Sequence, residues 1–220
     1  MPSLCQLAGE YGGAPLPAGG TMAEPKIDGW RCLFFPDHLG KPALWSRNGI
    51  PLQGVAHILR RLNAVERAIG FPVMIDGELQ IGGTLAATKA HCERGWRQGD
   101  AGTFHAFDCV PLVQWRSDNC DMPLYQRKKL LAGAIAATAP DPNAWEWEPG
   151  SRGRNHGIDP IRLMPEMWLM DREDVASSAH DIWRAGGEGL MLKDAESPYR
   201  RKRTDAWRKI KTPAQLERMP

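Results

Sequence analysis

One short segment of the chain combines a candidate nucleophile with a fixed cation. Lys26 and Arg31 lie at the two ends of the sequence KIDGWR, with Asp28 and Gly29 between them. A lysine amine attacks an electrophile only after it has lost its proton, and burial or neighbouring cations favour that loss. Gly29 allows a tight turn or a close approach of the backbone. The segment therefore predicts a reactive lysine in a cationic pocket, with an ordinary surface turn between two strands as the alternative.

Five other short segments of the chain carry charged or aromatic side chains. They are SRNG at 46–49, DGEL at 76–79, FHAFD at 104–108, EGLMLK at 188–193 and WRKIK at 207–211. Taken singly, each has a structural alternative, because Glu78 suits a solvated turn and both Phe107 and Met191 suit a hydrophobic core. The basic cluster over 200–211 suits a solvated face, but its density beside the predicted site favours contact with phosphate.

These segments occur in one order over residues 26–211, and together they resemble the covalent nucleotidyltransferases, the superfamily of DNA ligases, RNA ligases and mRNA capping enzymes. The forms EGLMLK and WRKIK are similar to those of ATP-dependent DNA ligases. The resemblance implies an α+β fold, namely an ATP-grasp-like nucleotidyltransferase domain of mostly antiparallel sheets flanked by helices. It also implies an ATP-dependent polynucleotide (DNA) ligase with ATP and Mg²⁺ as cofactors.

The resemblance also implies a role for each candidate site residue. Lys26 would attack the α-phosphate of ATP, form lysyl-AMP and release pyrophosphate. Glu24 would accept a hydrogen bond from the exocyclic amine of adenine, and Phe107 and Met191 would enclose the base. The remaining roles are contacts to ribose and phosphate for Arg31 and Arg47, contacts to ribose or magnesium for Glu78 and Glu188, and α-phosphate binding for Lys209 and Lys211.

Hydrophobic periodicity predicts the elements that position these groups. Strands are predicted over 26–36, 43–46, 71–81, 103–110, 161–170, 190–193 and 206–211, and helices over 55–69, 85–94, 125–138 and 173–185. Gly70 and Gly186 end the first and last helix, and Asp171 caps the last one. Residues 8–23 and 140–160 are predicted loops, with a brief strand around Trp145 and Trp147. Because strands and helices do not alternate regularly, the pattern favours a mixed α+β fold.

The composition excludes several classes of protein. Of the 220 residues 42% are hydrophobic and 25% are charged, which excludes disorder as the main state. No run of eighteen apolar residues or secretory signal is present, so a cytoplasmic protein without membrane contact is expected. The net charge of +2 neither requires nor excludes nucleic acid. The five cysteines lack the spacing of a zinc or redox site and are interpreted as reduced thiols.

The domain organisation predicted from the sequence is a single nucleotidyltransferase (adenylylation) domain over 1–220. No linker divides the chain, and the residues after Lys211 leave no room for the OB-fold domain that follows in family ligases. The predicted partner is nicked duplex DNA, and an OB-fold domain or partner protein supplied in trans is a second candidate. Two alternatives stay open: an RNA-joining enzyme, and a catalytically weak module that binds a nick or a nucleotide.

Overall fold

The structure is a computed structural model that describes residues 3–94, 99–139 and 159–217. The strands are β1 (Leu7–Glu10), β2 (Thr21–Pro25), β3 (Trp30–Pro36), β4 (Pro42–Ser46), β5 (Val73–Gln80), β6 (Thr103–Pro111), β7 (Ile161–Leu163), β8 (Met167–Leu169), β9 (Leu190–Lys193) and β10 (Arg203–Ile210). The helices are α1 (Ala56–Ile69), α2 (Leu85–Arg94), α3 (Leu112–Arg116), α4 (Leu124–Ala137), α5 (Arg172–Arg184) and α6 (Ala214–Glu217).

The strands form two five-stranded sheets, which we call sheet A and sheet B. Sheet A has the order β1-β10-β9-β2-β8, and sheet B has the order β4-β3-β5-β6-β7. The pairs β1–β10 and β6–β7 are parallel, and the other pairs of strands in these sheets are antiparallel. The predicted mixed α+β fold with mostly antiparallel sheets is confirmed.

The two sheets face each other, and helices cover their outer faces. One apolar cluster joins α1 and α4 to sheet B, a second lies between the sheets, and a third joins α5 to sheet A. Strand alternation assigns the side chains to these clusters, because neighbours along a strand point to opposite faces. On β3, for example, Cys32 and Phe34 pack under the helices, whereas Leu33 packs between the sheets.

Local sequence explains where the longer helices begin and end. In α1 the buried Ile58, Leu62 and Val65 recur at helical spacing, and the helix ends at Gly70, whose left-handed φ of 88° suits a residue without Cβ. Asp171 accepts a hydrogen bond from the Asp174 backbone N–H and so caps α5. The predicted stop at Gly70 and the predicted cap at Asp171 are both confirmed.

The three largest differences from the predicted elements concern 8–23, 26–36 and 161–170, whereas the strand predicted over 206–211 is longer and begins at Arg203. The loop predicted over 8–23 contains most of β1 and the first part of β2, because β1 pairs with β10. The strand predicted over 26–36 begins only at Trp30, because 26–29 connect the two sheets. The strand predicted over 161–170 is two strands, β7 in sheet B and β8 in sheet A, and the chain changes sheets at Pro165, which cannot donate a ladder hydrogen bond.

The structure also bears on the short helices, the cysteines and the question of a membrane span. The short helices α3 and α6 were not predicted, and the strand predicted around Trp145 and Trp147 lies outside the described residues. All five cysteines are free, and four of them are buried. Among the described residues no helix combines the length and the apolar character needed to cross a membrane.

Candidate active site

A cavity of about 250 Å³ opens between the two sheets and is lined by both. Its lining contains Lys26 and every residue predicted to bind the nucleotide: Glu24, Arg31, Arg47, Glu78, Phe107, Met191, Lys209 and Lys211. Glu188, the remaining predicted residue, reaches the cavity through ion pairs with Lys26 and Lys211. The fold thus brings together predicted residues that are up to 187 positions apart, from Glu24 to Lys211.

Strand alternation in sheet A turns one set of side chains toward the cavity. On β9, Leu190 and Leu192 pack under α5, whereas Met191 and Lys193 line the cavity. The strand register places Met191 opposite Glu24 of β2 on one side and opposite Lys209 of β10 on the other. Residues that lie opposite each other in antiparallel strands share a face, so these residues form one row across the sheet.

A β-bulge on β6 lies at Phe107, which lines the cavity. Asp76 of β5 pairs with Asp108, but the next residue, Gly77, pairs with Ala106, so Phe107 is the extra residue of the bulge. Gly77 has no room for a side chain, because an added Cβ would lie 2.3 Å from the ring of Phe104. Bulges interrupt the alternation of a strand, which explains why Ala106 and Cys109, three positions apart, both pack under the helices while Phe107 between them faces the other sheet.

The KIDG part of the lysine motif is the loop that leads from sheet A to sheet B. The Lys26 backbone N–H donates to the Gly189 carbonyl at 2.8 Å, which fixes the start of the loop to β9. Asp28 accepts a hydrogen bond from the Leu85 backbone N–H at the start of α2 and therefore anchors the loop. A Cβ on Gly29 would lie 2.5 Å from the Leu79 carbonyl, so the predicted close backbone approach is confirmed.

The side chain of Lys26 forms an ion pair with Glu188. The Lys26 Nζ lies 2.5 Å from one carboxylate oxygen, and the Lys211 Nζ lies 2.6 Å from the other. Burial acts against the charge of Glu188, but hydrogen bonds from Lys211 and Lys26 lower the pKa of its carboxyl group. Gly189 makes this placement possible, because a Cβ there would lie 2.0 Å from the Ile210 carbonyl and its φ is 148°. The carboxylate of Glu188 therefore links Lys26 to Lys211, the residue that follows β10.

Glu78 is the second carboxylate of the cavity, and its pKa is shifted in the opposite direction to that of Glu188. Burial raises the pKa of Glu78 to about 7, against the lowering effect of Arg31 and Lys26. The charges of Asp76 and Glu188 add to the rise. Near neutral pH this carboxyl group therefore holds a proton in part of the molecules, and added positive charge would release it.

Arg31 forms part of the cavity wall and is tightly held there. Its Nε and Nη2 donate to the two oxygens of Asp76 at 2.7 and 2.6 Å. Its guanidinium lies 4.7 Å from the ring centroid of Phe107 and 5.5 Å from that of Trp207. Although burial disfavours its charge, Asp76 raises the pKa of Arg31 well above the ordinary value. Tyr199 donates to Asp76 at 2.7 Å and completes this buried network.

Glu24 lies in a buried ion cluster that sequence reasoning missed. Lys193 donates to one of its oxygens at 2.5 Å, and Lys128 of α4 donates to the other. Lys193 is the last residue of EGLMLK, so its alternation with Met191 could have indicated that it faces the cavity. Lys128 belongs to no motif and lies 104 positions from Glu24, so no local signal was available.

The family model described as the ATP dependent DNA ligase domain matches residues 14–211. No curated protein sequence matches the chain. The match spans most of the chain and includes all six motif segments.

Three solved structures illustrate the fold that this chain shares with known proteins. The structure named Pmar-Lig_Pre has a TM-score of 0.78 at 21% identity and covers 96% of this chain and 47% of its own. Bacteriophage T7 ATP-dependent DNA ligase with ATP has a TM-score of 0.65 at 18% identity and covers 89% and 63%. Chlorella virus DNA ligase-adenylate has a TM-score of 0.67 at 19% identity and covers 94% and 66%. The predicted nucleotidyltransferase fold is thereby confirmed.

The matched structures differ from this chain in length. This chain spans 47% of each of the first two solved structures that it matches, and about two thirds of the T7 and Chlorella virus ligases. The resemblance stated from the motifs and the match of the family model to 14–211 agree. The chain belongs to the ATP-dependent DNA ligase domain family.

Proposed function

We propose that residues 1–220 form the adenylylation domain of an ATP-dependent DNA ligase, with Lys26 as the nucleophile. The observation that carries the proposal is the position of the Lys26 amine. Its Nζ lies 2.5 Å from Glu188. It is in the wall of a cavity that Glu24, Phe107 and Lys209 also line. A nucleophile, a carboxylate that binds it, an aromatic ring and cations for phosphate therefore meet in one cavity. This combination suits transfer of a nucleotidyl group to an amine.

In the first step, Lys26 Nζ attacks the α-phosphorus of ATP. A nitrogen–phosphorus bond forms as the bond from that phosphorus to pyrophosphate breaks, which gives lysyl-AMP. The proton that Lys26 gives up before the attack passes to solvent, and Glu188, which accepts a hydrogen bond from that amine, holds the amine in place. Lys209, Lys211 and Arg47 line the same cavity and stabilise the charge that develops on the phosphates.

The other end of the cavity would bind the nucleoside. Phe107 and Met191 present apolar surfaces for the base, and Glu24 is the acceptor for the exocyclic amine of adenine. The Nε and Nη2 of Arg31 are bound to Asp76, so a contact to ribose or phosphate would come from Nη1.

Mg²⁺ fits the carboxylates of the site. Glu78 and Glu188 offer hard oxygen ligands, and the charge of Glu188 raises the pKa of Glu78, a repulsion that a shared cation would relieve. Among the described residues no group of three or more ligating side chains is assembled, so water and phosphate oxygens would complete the coordination. The ion would supply positive charge that offsets the charge of the triphosphate.

In the second half of the reaction, AMP would pass from Lys26 to the 5′-phosphate of a nick, and the 3′-hydroxyl would then displace it. The partner would be nicked duplex DNA bound mainly through backbone phosphates, so affinity should fall steeply with salt. Because the chain spans about half of the first structures that it matches, joining is tested with and without an OB-fold domain added in trans.

The test is formation of a covalent adenylate on the purified chain from ATP labelled at the α-phosphate, with Mg²⁺ present. Wild type is expected to yield an acid-labile, alkali-stable product that is absent from Lys26→Ala. Lys89→Ala, at an exposed position on α2, is the matched control and should be labelled like wild type. A circular dichroism melt should show both variants folded.

The outcomes separate the candidate functions. Label on Lys26→Ala, or none on wild type that binds ATP, would refute the proposed nucleophile, and the second result would favour a binding module. Transfer of AMP to nicked RNA in preference to nicked DNA would identify an RNA-joining enzyme instead.

A further inference from the structure

The carboxylate of Glu24 accepts hydrogen bonds from two buried lysines, one on each oxygen. Glu24 is 2% exposed and lines the cavity. Lys193 donates to its Oε2 at 2.5 Å, and Lys128 donates to its Oε1. A carboxylate with one ammonium group on each oxygen cannot rotate without losing a charge-assisted hydrogen bond. The direction in which Glu24 faces the cavity is therefore fixed by its two partners.

The two lysines occupy different positions. Lys193 lines the cavity, and its ammonium lies 4.4 Å from the Phe107 ring centroid and 4.3 Å from that of Trp207. Lys128 reaches Glu24 from α4 and also lies 3.1 Å from Glu166, a half-exposed surface carboxylate. It is not among the residues of the described chain that line the cavity. Lys128 can therefore act on a bound base only through Glu24.

The electrostatics keep Lys128 charged. Burial disfavours its ammonium, but Glu24 and Glu166 raise its pKa above the ordinary value. In contrast, burial lowers the pKa of Lys193, and repulsion from Lys128 adds to that effect. Of the two lysines beside Glu24, Lys128 is thus the one whose positive charge its surroundings favour.

The residue before Lys128 fixes the helix to the strand that carries Phe107. Arg127 is fully buried and donates to both oxygens of Asp108 on β6, at 2.7 and 2.9 Å. It also donates to the Ser197 carbonyl at 3.0 Å. Because Asp108 directly follows Phe107, α4 and the aromatic wall of the cavity are held as one unit.

From this arrangement we infer that Lys128 is a positioning residue for selection of the nucleobase. The inference rests on the proposed function, because it takes Glu24 as the acceptor for the amine at position 6 of adenine. By holding Oε1, Lys128 keeps the Glu24 carboxylate in one orientation toward the cavity. A purine with an amino group at position 6 then finds an acceptor, whereas the 6-oxo group of guanine meets a fixed negative charge.

The experiment measures the dissociation constants of ATP and GTP for the full chain by calorimetry, and the KM and maximal rate of self-adenylylation. For Lys128→Met we expect about tenfold weaker ATP binding and at least a tenfold smaller preference for ATP over GTP, the size expected for one lost charge-assisted hydrogen bond. The maximal rate with ATP should stay within about threefold, because Lys128 does not touch the reacting atoms.

Two further variants separate positioning from general destabilisation. Lys128→Arg keeps a charged donor and should restore most of the preference for ATP. Lys129→Met lies at an exposed position on the same helix and should bind both nucleotides like wild type. An unchanged ATP preference in folded Lys128→Met, or a large loss of maximal rate at unchanged KM, would overturn the inference. If Lys128→Met does not fold, Lys128→Gln is measured by the same criteria.

A double-mutant cycle tests whether Lys128 acts through Glu24. In a Glu24→Gln background, Lys128→Met should cause no further change in the ratio of the two dissociation constants, whereas additive effects would overturn the inference. Failure of the proposed function can be told apart from failure of this inference, because the two are read from different measurements. A wild type that forms no lysyl-AMP refutes the function, while the dissociation constants still decide the role of Lys128.

Discussion

Replacement of Glu78 by glutamine is expected to remove a pH dependence from the stability of the protein. Burial, with the charges of Asp76 and Glu188, raises the pKa of Glu78 from 4.5 to about 7, although Arg31 and Lys26 oppose the rise. The folded protein therefore keeps a proton that the unfolded chain releases at lower pH. The stability that this group contributes is fully present below about pH 4.5 and is lost as the pH rises through about 7.

The size of this loss follows from the two pKa values. A difference of one pH unit corresponds to about 1.4 kcal/mol, so the whole difference corresponds to about 3 kcal/mol. Because Glu78 is only partly buried, solvent screening reduces the expected loss to about 2 kcal/mol. The amide of Glu78→Gln does not titrate. The free energy of unfolding of the variant minus that of wild type should therefore rise by about 2 kcal/mol between about pH 5 and about pH 8.

The assay is urea unfolding of both proteins in EDTA, without nucleotide, followed by tryptophan fluorescence across this pH range. Groups that titrate alike in the two proteins cancel in the difference. A difference that stays constant or falls with rising pH contradicts the reasoning. Carboxyl NMR gives an independent check, because a signal with a midpoint of about 7 should be present in wild type and absent from Glu78→Gln.

Further substitutions test the packing around the site by urea unfolding at neutral pH. Gly189→Ala should lower the free energy of unfolding by more than about 2 kcal/mol, because an added Cβ would lie 2.0 Å from a carbonyl of β10. Gly133→Ala, where a Cβ meets no atom within 4 Å on α4, should instead raise it by about 0.5–1 kcal/mol, and equal effects of the two would contradict this account. Arg127→Met should cost about 3–5 kcal/mol because Asp108 would stay buried without its partner, and a cost below about 1 kcal/mol would show that Asp108 finds another. Asp171→Ala should cost about 1 kcal/mol through the lost cap of α5, and unchanged stability would remove that role.

Residues that line the cavity were predictable from the sequence where the reactive groups and the pattern that orients them lie within a few positions of each other. Lys26 and Arg31 are separated by only four residues, and strand alternation carries Met191 and Lys209 to the same face of sheet A. Amphipathic spacing likewise predicted α1, since Ile58, Leu62 and the residues that follow repeat with the period of a helix. In these cases a pattern within a few residues determines both the element and its buried face.

Features that depend on contacts between distant segments were not predictable from the sequence. Lys128 has no motif around it, and its partner Glu24 lies on a strand 104 positions earlier. The segment 8–23 is rich in glycine and proline, yet its first residues belong to a strand, because β10 offers an edge for pairing. Similarly, Pro165 interrupts the stretch 161–170, but nothing within the stretch indicates that its two halves pair in different sheets.

The glycines of three motifs have one physical role. A Cβ on Gly29, Gly77 or Gly189 would lie 2.5, 2.3 or 2.0 Å from a neighbouring strand or ring. Glu78 directly follows the second of these glycines, and Glu188 directly precedes the third. The glycine lets the backbone approach the next strand, and the adjacent carboxylate is then held at a fixed distance from the opposite wall. In this chain, the carboxylates of Glu78 and Glu188 next to a glycine therefore indicate site residues, because the glycine allows close packing of the backbone and the neighbouring side chain reaches the cavity.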